Sequence, residues 1–309
     1  MKYAFFPGCV ARGGTPELYD SAMVVMERLQ IETIELSTAS CTGAGVLQEK
    51  NEKMGDILNV RTLALAEKLE LPILVICSTC QGVISQANFR VQKDRKYLEE
   101  INVYLKDEGL EYKGTTKVKH LLWVIIEDVG IKKLKESFKT ELKDINFAPF
   151  YGCYIVRPSE VVEFTANPGR ENSLEQLIGA VGANVTKYSG RTACCGFPIL
   201  FLNQENSLKM VSNHTGSAKD SGADAIVTPC PLCHLNLDGY QPKARRKNRG
   251  DSADIPIIHV PQLIGLAMGI PETQLGLQKH VVSTKNFITN VTQKNRYIPM
   301  DELCGCLGM

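Results

Sequence analysis

The chain has almost no surplus charge: 35 Lys and Arg stand against 34 Asp and Glu, a formal net charge of +1. Bulk electrostatics therefore draw it to neither nucleic acid nor membrane. No stretch approaches the roughly 18 unbroken apolar residues of a spanning helix; LPILVIC is too short, and IPIIHVPQLIGLAMGI is punctuated by Gly and Pro. The opening MKYAFFPGCV has neither the extended apolar centre nor the small-residue cleavage site of a secretory leader. A cytoplasmic protein with no direct membrane insertion is expected. No G-x-G-x-x-G follows a strand-like run and no P-loop is present, which argues against a flavin or nucleotide site.

What the chain does have is cysteine. Eleven of them, an odd number without an export signal, favour metal or redox chemistry over a disulfide framework. They fall in two series, Cys9, Cys41, Cys77, Cys80 and Cys153, Cys194, Cys195, Cys230, Cys233, with Cys304 and Cys306 at the end. Cys41 to Cys77 and Cys194 to Cys230 each span 36 positions, both pairs are offset by 153, and Cys77 and Cys230 each open a C-x-x-C. The flanks repeat too: Tyr3-Ala-Phe-Phe-Pro-Gly-Cys9 matches Phe147-Ala-Pro-Phe-Tyr-Gly-Cys153, and Ser40-Cys-Thr-Gly43 matches Ala193-Cys-Cys-Gly196. The sequence is an internal duplication, with an insertion near TANPGR lengthening the second copy.

Strand-like runs are expected at 3–6, 33–36 and 73–76, then at 148–151, 185–188 and 225–228, alternating with amphipathic helices. One helix should start at Thr15-Pro16-Glu17, with Thr as cap and Pro in the first turn. The reading is α/β: two pseudo-symmetric half-domains, each a small, mostly parallel sheet flanked by helices, with cysteines gathered at strand ends. Residues 1–144 form the first half, 145–280 the second and 281–309 a separate tail carrying Cys304 and Cys306.

Thiolates are soft ligands that suit iron–sulfur clusters and zinc. Cys153, Cys194, Cys195, Cys230 and Cys233 exceed the four ligands of a tetrahedral ion, which points to a polynuclear cluster. Cys9, Cys41, Cys77 and Cys80 suit a conventional iron–sulfur cluster or a zinc ion equally in number.

The run Cys153-x40-Cys-Cys-Gly-x33-Cys-Pro-Leu-Cys resembles the CCG domain, and two such domains in one chain resemble the B subunit of heterodisulfide reductase, over about residues 1–270. The resemblance implies a non-cubane cluster of four-iron class held by Cys153, Cys194, Cys195, Cys230 and Cys233, which meets substrate sulfur. It also implies partners: a ferredoxin-like iron–sulfur subunit, a flavoprotein subunit and a disulfide or thiol substrate, carrier-bound in the sulfur-oxidising branch. Thr42 stands where the first half should have its second adjacent cysteine, so the first half is expected to relay electrons or support the fold. The expected activity is that of an oxidoreductase acting on sulfur groups. Alternatives are an electron-relay subunit of a succinate, glycolate or lactate type dehydrogenase complex, and a zinc-stabilised scaffold.

Weaker signals are Arg12 and Arg157, just after each leading cysteine; His120 and His259, proton gates or structural histidines; and the basic run Lys243 to Arg249, an anion-attracting patch or a solvated loop.

Overall fold

A computed structural model describes residues 1–248 and 254–295. Cys304, Cys306 and Arg249 lie outside them. The two halves build two four-stranded, wholly parallel sheets of identical strand order. The first runs β2-β1-β3-β4, with β1 at Lys2–Phe6, β2 at Glu32–Glu35, β3 at Ile73–Val75 and β4 at Val118–His120. The second runs β6-β5-β7-β8, with β5 at Asn146–Pro149, β6 at Asn184–Val185, β7 at Ala225–Thr228 and β8 at Ile257–His259. The register repeats as well: Ala4 pairs with Ile73 as Ala148 pairs with Ile226.

The burial pattern explains which strands the sequence displayed. β3 and β7 are buried at every position and read as continuous apolar runs, as helices covering both faces of a parallel sheet require. β2, Glu-Thr-Ile-Glu, is an edge strand with alternating partial exposure, so charge is tolerated there. β6 stops after Val185, short of the expected residue 188, although Thr186 still donates to Phe147 O at 2.8 Å.

The halves are packed together through shared cores. Tyr3 and Phe5 belong to one buried cluster with Phe147, Tyr151 and Val227, while Ala4 and Phe6 belong to another with Ala148, Phe150 and Ile226. Alternation along β1 thus feeds its two faces into two cores, each containing both halves. The helix Ser78–Lys93 of the first half presses against a loop of the second so closely that a Cβ on Gly82 would stand 2.7 Å from Tyr154 O.

Two expectations need correction. Thr15 does precede the Pro16–Arg28 helix, but its side chain does not cap that helix; the hydroxyl donates instead to Val10 O at 3.4 Å. The stretch after 280 is not a separate tail as far as residue 295: Phe287 and Val291 are buried, and the Phe287 ring meets Phe147 edge-on at 5.8 Å. Alternating apolar spacing in one short polar helix was too sparse to reveal that docking.

Candidate metal centre

Every cysteine of the two series lies beyond the carboxyl end of a strand or in the loop that follows it: Cys9 and Cys153 after β1 and β5, Cys41 and Cys194 after β2 and β6, Cys77 and Cys230 after β3 and β7. In open parallel sheets this edge, where strand order reverses between β1 and β3, is where ligands from distant positions meet. Cys77 and Cys230 are the N-cap residues of the helices Ser78–Lys93 and Pro231–Gly239, so their thiols stand at positive helix ends that favour thiolate. Cys80 and Cys233 follow one turn later, on the same side of their helices.

The leading cysteines are seated by glycine. Gly8 and Gly152 both hold positive φ, +81° and +74°, and a Cβ on them would come within 3.0 Å of Cys80 Sγ and 2.7 Å of Cys233 Sγ. Only glycine allows the first cysteine to fold back over the last.

Cys9 and Cys41 are in contact at 3.5 Å. In the second half Cys153, Cys195, Cys230 and Cys233 line one pocket, and each thiol from Cys153 through Cys194, Cys195 and Cys233 to Cys230 perturbs the next. The series then crosses the seam, because Cys230 faces Cys77, which faces Cys80. The structure therefore brings together both expected sets and also abuts them. All nine described cysteines are free thiols.

These contacts polarise the thiols. Hydrogen bonds from Cys153 and Cys195 hold Cys194 far below the usual thiol range, and the Cys9 thiol lowers Cys41 to about 6. Cys9, Cys153, Cys195 and Cys233 are pushed up by the neighbouring sulfurs and by burial. Backbone amides support the same sulfurs: Gly43 N donates to Cys41 Sγ at 3.5 Å and Gly196 N to Cys194 Sγ at 3.4 Å. A donor set made solely of sulfur, partly buried and supplied with N–H groups, fits an iron–sulfur cluster in the second half, and either such a cluster or zinc in the first.

Thr42 occupies the backbone position of the missing cysteine. Its carbonyl accepts from the buried Asn59 amide at 3.0 Å, as the Cys195 carbonyl accepts from Asn236 at 2.7 Å. The two surroundings differ. Cys9 and Cys41 are exposed beside a pocket of about 150 Å³ that also includes Arg12 and Glu35. The second site encloses only about 20 Å³, room for about one water, lined by Cys153, Cys195, Cys230, Cys233 and, from the first half, Ser78 and Thr79. Thr79 Oγ1 lies 3.4 Å from Cys230 Sγ.

The lining residues Ser78, Thr79 and Tyr154, and the supports Asn59, Asn236 and His214, which bonds Cys194 O at 2.9 Å, were not singled out from the sequence. The repeat gave no signal for them, since each serves across the seam or in one half alone.

The weaker signals resolve toward structure. Arg12 pairs with Glu35 and stacks on Tyr19, 4.6 Å from the ring centre; Arg157 donates to Thr192 O at 2.8 Å, bracing the loop before Cys194. His120 is buried with both nitrogens engaged, Nδ1 accepting from Leu122 N at 3.1 Å and Nε2 donating to Pro229 O at 3.0 Å. His259 joins His234, His280 and Glu17 in a second buried seam. There Gln262 sets the tautomers: its Oε1 accepts from His259 N at 2.9 Å, so its amide nitrogen donates to His280 Nε2 at 2.9 Å. His280 Nδ1–H is left to donate to His234 Nε2 at 3.4 Å, so His280 is held in a hydrogen-bonded joint and offers a metal no free lone pair.

The cysteine-rich domain family designated CCG matches residues 3–85 and again 147–238. The chain belongs to that family. The CCG chain is 36% identical over 283 residues, 91% of its length and 97% of the relative's, to the 8-methylmenaquinol:fumarate reductase membrane anchor subunit of Wolinella succinogenes. It is 31% identical over 296 residues, 94% of its length and 97% of the relative's, to the B subunit of the ferredoxin:CoB-CoM heterodisulfide reductase of Methanosarcina mazei. A protein of Archaeoglobus profundus that is itself like the heterodisulfide reductase B subunit is 31% identical over 282 residues, 90% of this chain and 94% of that one. Expectation and comparison agree on the family: two CCG domains in the arrangement of the heterodisulfide reductase B subunit. A crystal structure of a hypothetical protein from Helicobacter pylori shares the fold, with a TM-score of 0.73 at 17% identity; it covers 91% of this chain, which spans about half (52%) of that protein. These relatives are subunits of multi-subunit oxidoreductases, and the CCG chain is a cysteine-rich redox subunit of the same kind. Among the described residues no helix is long and apolar enough to cross a membrane.

Proposed function

We propose that the chain is an iron–sulfur electron-relay subunit of a quinone-linked organic-acid oxidoreductase complex of the fumarate or succinate class. The observation that carries this reading is the seam between the two helix-capping cysteines, where Thr79 Oγ1, two residues past Cys77, lies 3.4 Å from Cys230 Sγ and Ser78 Oγ donates to Pro229 O at 3.2 Å, which makes the two cysteine sites neighbours. Bound clusters would supply one-electron donor and acceptor states. Cys153, Cys194, Cys195, Cys230 and Cys233 would hold the polynuclear, non-cubane group, and Cys9, Cys41, Cys77 and Cys80 a conventional one. The residues around them fix positions: Gly8 and Gly152 let each leading cysteine fold back over the last, and Thr79, Phe197 and Leu232 line the second site. The exposed first site suits contact with a partner's redox centre, and the Wolinella relative belongs to a quinol:fumarate reductase.

A second reading, disulfide–thiol chemistry at the second site within a heterodisulfide-reductase-like complex, is favoured by the complete five-thiol set and by the partial exposure of Cys153 and Cys194. Anaerobic purification, with iron, sulfide and zinc counted per chain and paramagnetic resonance recorded after adding a menaquinol analogue or a thiol, separates the two. Signals that respond to the quinol and ignore the thiol support the relay. A thiol-sensitive signal transfers the function to sulfur chemistry, and zinc without iron rejects both.

A further inference from the structure

Six positions past Cys195, the loop that carries the adjacent pair Cys194-Cys195 ends in Phe201 and Leu202, each 84% exposed. They are the most exposed large apolar side chains among the described residues, and they are consecutive. Two such side chains side by side in water carry hydrophobic free energy that an adjoining apolar phase would recover.

Their neighbours are cations. The helix Gln204–Asp220 starts two residues beyond Leu202, and the helix Gln241–Asn248 packs against it. The latter holds Lys243, Arg245, Arg246 and Lys247 and no carboxylate, all four exposed while Gln241 and Ala244 face inward. Lys243 Nζ donates to Gln204 Oε1 at 2.8 Å, which fixes the ammonium beside the apolar pair. Glu205 is shared by Lys209 and Lys247, and Asp254 pairs with Arg245; among the described residues Lys243 and Arg246 have no acidic partner. A chain of nearly zero net charge thus concentrates positive charge around one apolar tip.

We propose that this tip, Phe201 and Leu202 with Lys243, Arg246 and Lys247, docks the protein on an anionic lipid bilayer. An aromatic and an aliphatic side chain entering the headgroup boundary, with long cations over the phosphates, is the physics of interfacial attachment and needs no spanning helix. A protein interface would call for a far larger apolar face than two side chains. Docking here would hold the loop of Cys194 and Cys195 toward the bilayer. The proposal rests on the relay reading for its purpose, electron exchange with a lipid-soluble quinone; its test does not.

The test is flotation of the full chain, purified without oxygen, with vesicles of phosphatidylcholine alone or mixed equally with phosphatidylglycerol. Binding is expected to the anionic vesicles at low salt, and at least about tenfold weaker binding for Phe201→Ser/Leu202→Ser and for Lys243→Gln/Arg246→Gln/Lys247→Gln. Val103→Ser/Tyr104→Ser, altering the other exposed apolar pair, should bind as the parent does. Iron content and melting temperature confirm that each variant is folded, and redox titration of the same samples reports on the relay separately. Failure to bind anionic vesicles, or unchanged binding by Phe201→Ser/Leu202→Ser, overturns the proposal. So does a chain that ignores vesicles but whose Phe201→Ser/Leu202→Ser variant no longer copurifies with its complex, since the tip would then be a contact between subunits.

Discussion

The two halves share strand order, register, glycine placement and helix-capping cysteines, yet their cysteine sites differ in two respects. The first has Thr42 where the second has Cys195, and it opens on a pocket of about 150 Å³ where the second encloses about 20 Å³. Duplication preserved the backbone that presents thiols, while the number of thiols and their access to solvent diverged. One fold can thus keep two thiol sites side by side and give each a different thiol count and a different exposure.

The comparison is broken most severely at Cys195. Cys195→Ser should remove the polynuclear signature of the second site, with iron and sulfide falling by about one cluster per chain, and leave the first site's metal in place. Thr42→Cys is the converse. Because Thr42 is buried in a backbone setting like that of Cys195, stability should change by no more than about 1 kcal/mol, and iron bound in the first half should rise. Elemental analysis with paramagnetic resonance reads both.

Glycine ranks next. Gly152→Ala should cost on the order of 3 kcal/mol in thermal or denaturant unfolding, through positive φ and collision with Cys233 Sγ. Gly8→Ala, whose Cβ meets Cys80 Sγ at the longer 3.0 Å, should cost less. Equal costs would mean that the two sites are equally tight.

Histidine gives an effect confined to acid. Burial lowers His120 from its ordinary 6.5 to about 4. The unfolded chain then binds the proton that the folded chain refuses, so stability is full above pH 6.5 and declines as pH falls toward 4, by up to roughly 3 kcal/mol. His120→Gln should flatten that part of the melting-temperature profile. His280, lowered to about 4 in the other seam, should leave a residual slope.

Much of this was legible because the site is written at fixed places in the chain. Equal spacing between Cys41 and Cys77 and between Cys194 and Cys230 reflects one strand–helix–strand distance used twice, and the fully buried strands β3 and β7 announced themselves as apolar runs. The seams were not legible. Glu17 and His259 meet across 242 positions, and Thr79 and Cys230 across 151, with no local pattern marking either pair. Thr15 stands where a cap belongs, but its hydroxyl donates to Val10 O and accepts from no helix N–H. Helix 285–295 was too polar in sequence to show that Phe287 and Val291, with Ile288 beside them, anchor it to the core.

The most direct test is a stepwise reductive titration of the anaerobically purified chain, followed by low-temperature paramagnetic resonance. If the Cys77–Cys230 contact joins two iron–sulfur sites, the spectrum of the fully reduced protein should show magnetic interaction between two centres, and Cys195→Ser should abolish it. Two non-interacting signals, or a spectrum unchanged by Cys195→Ser, would contradict the relay across the seam.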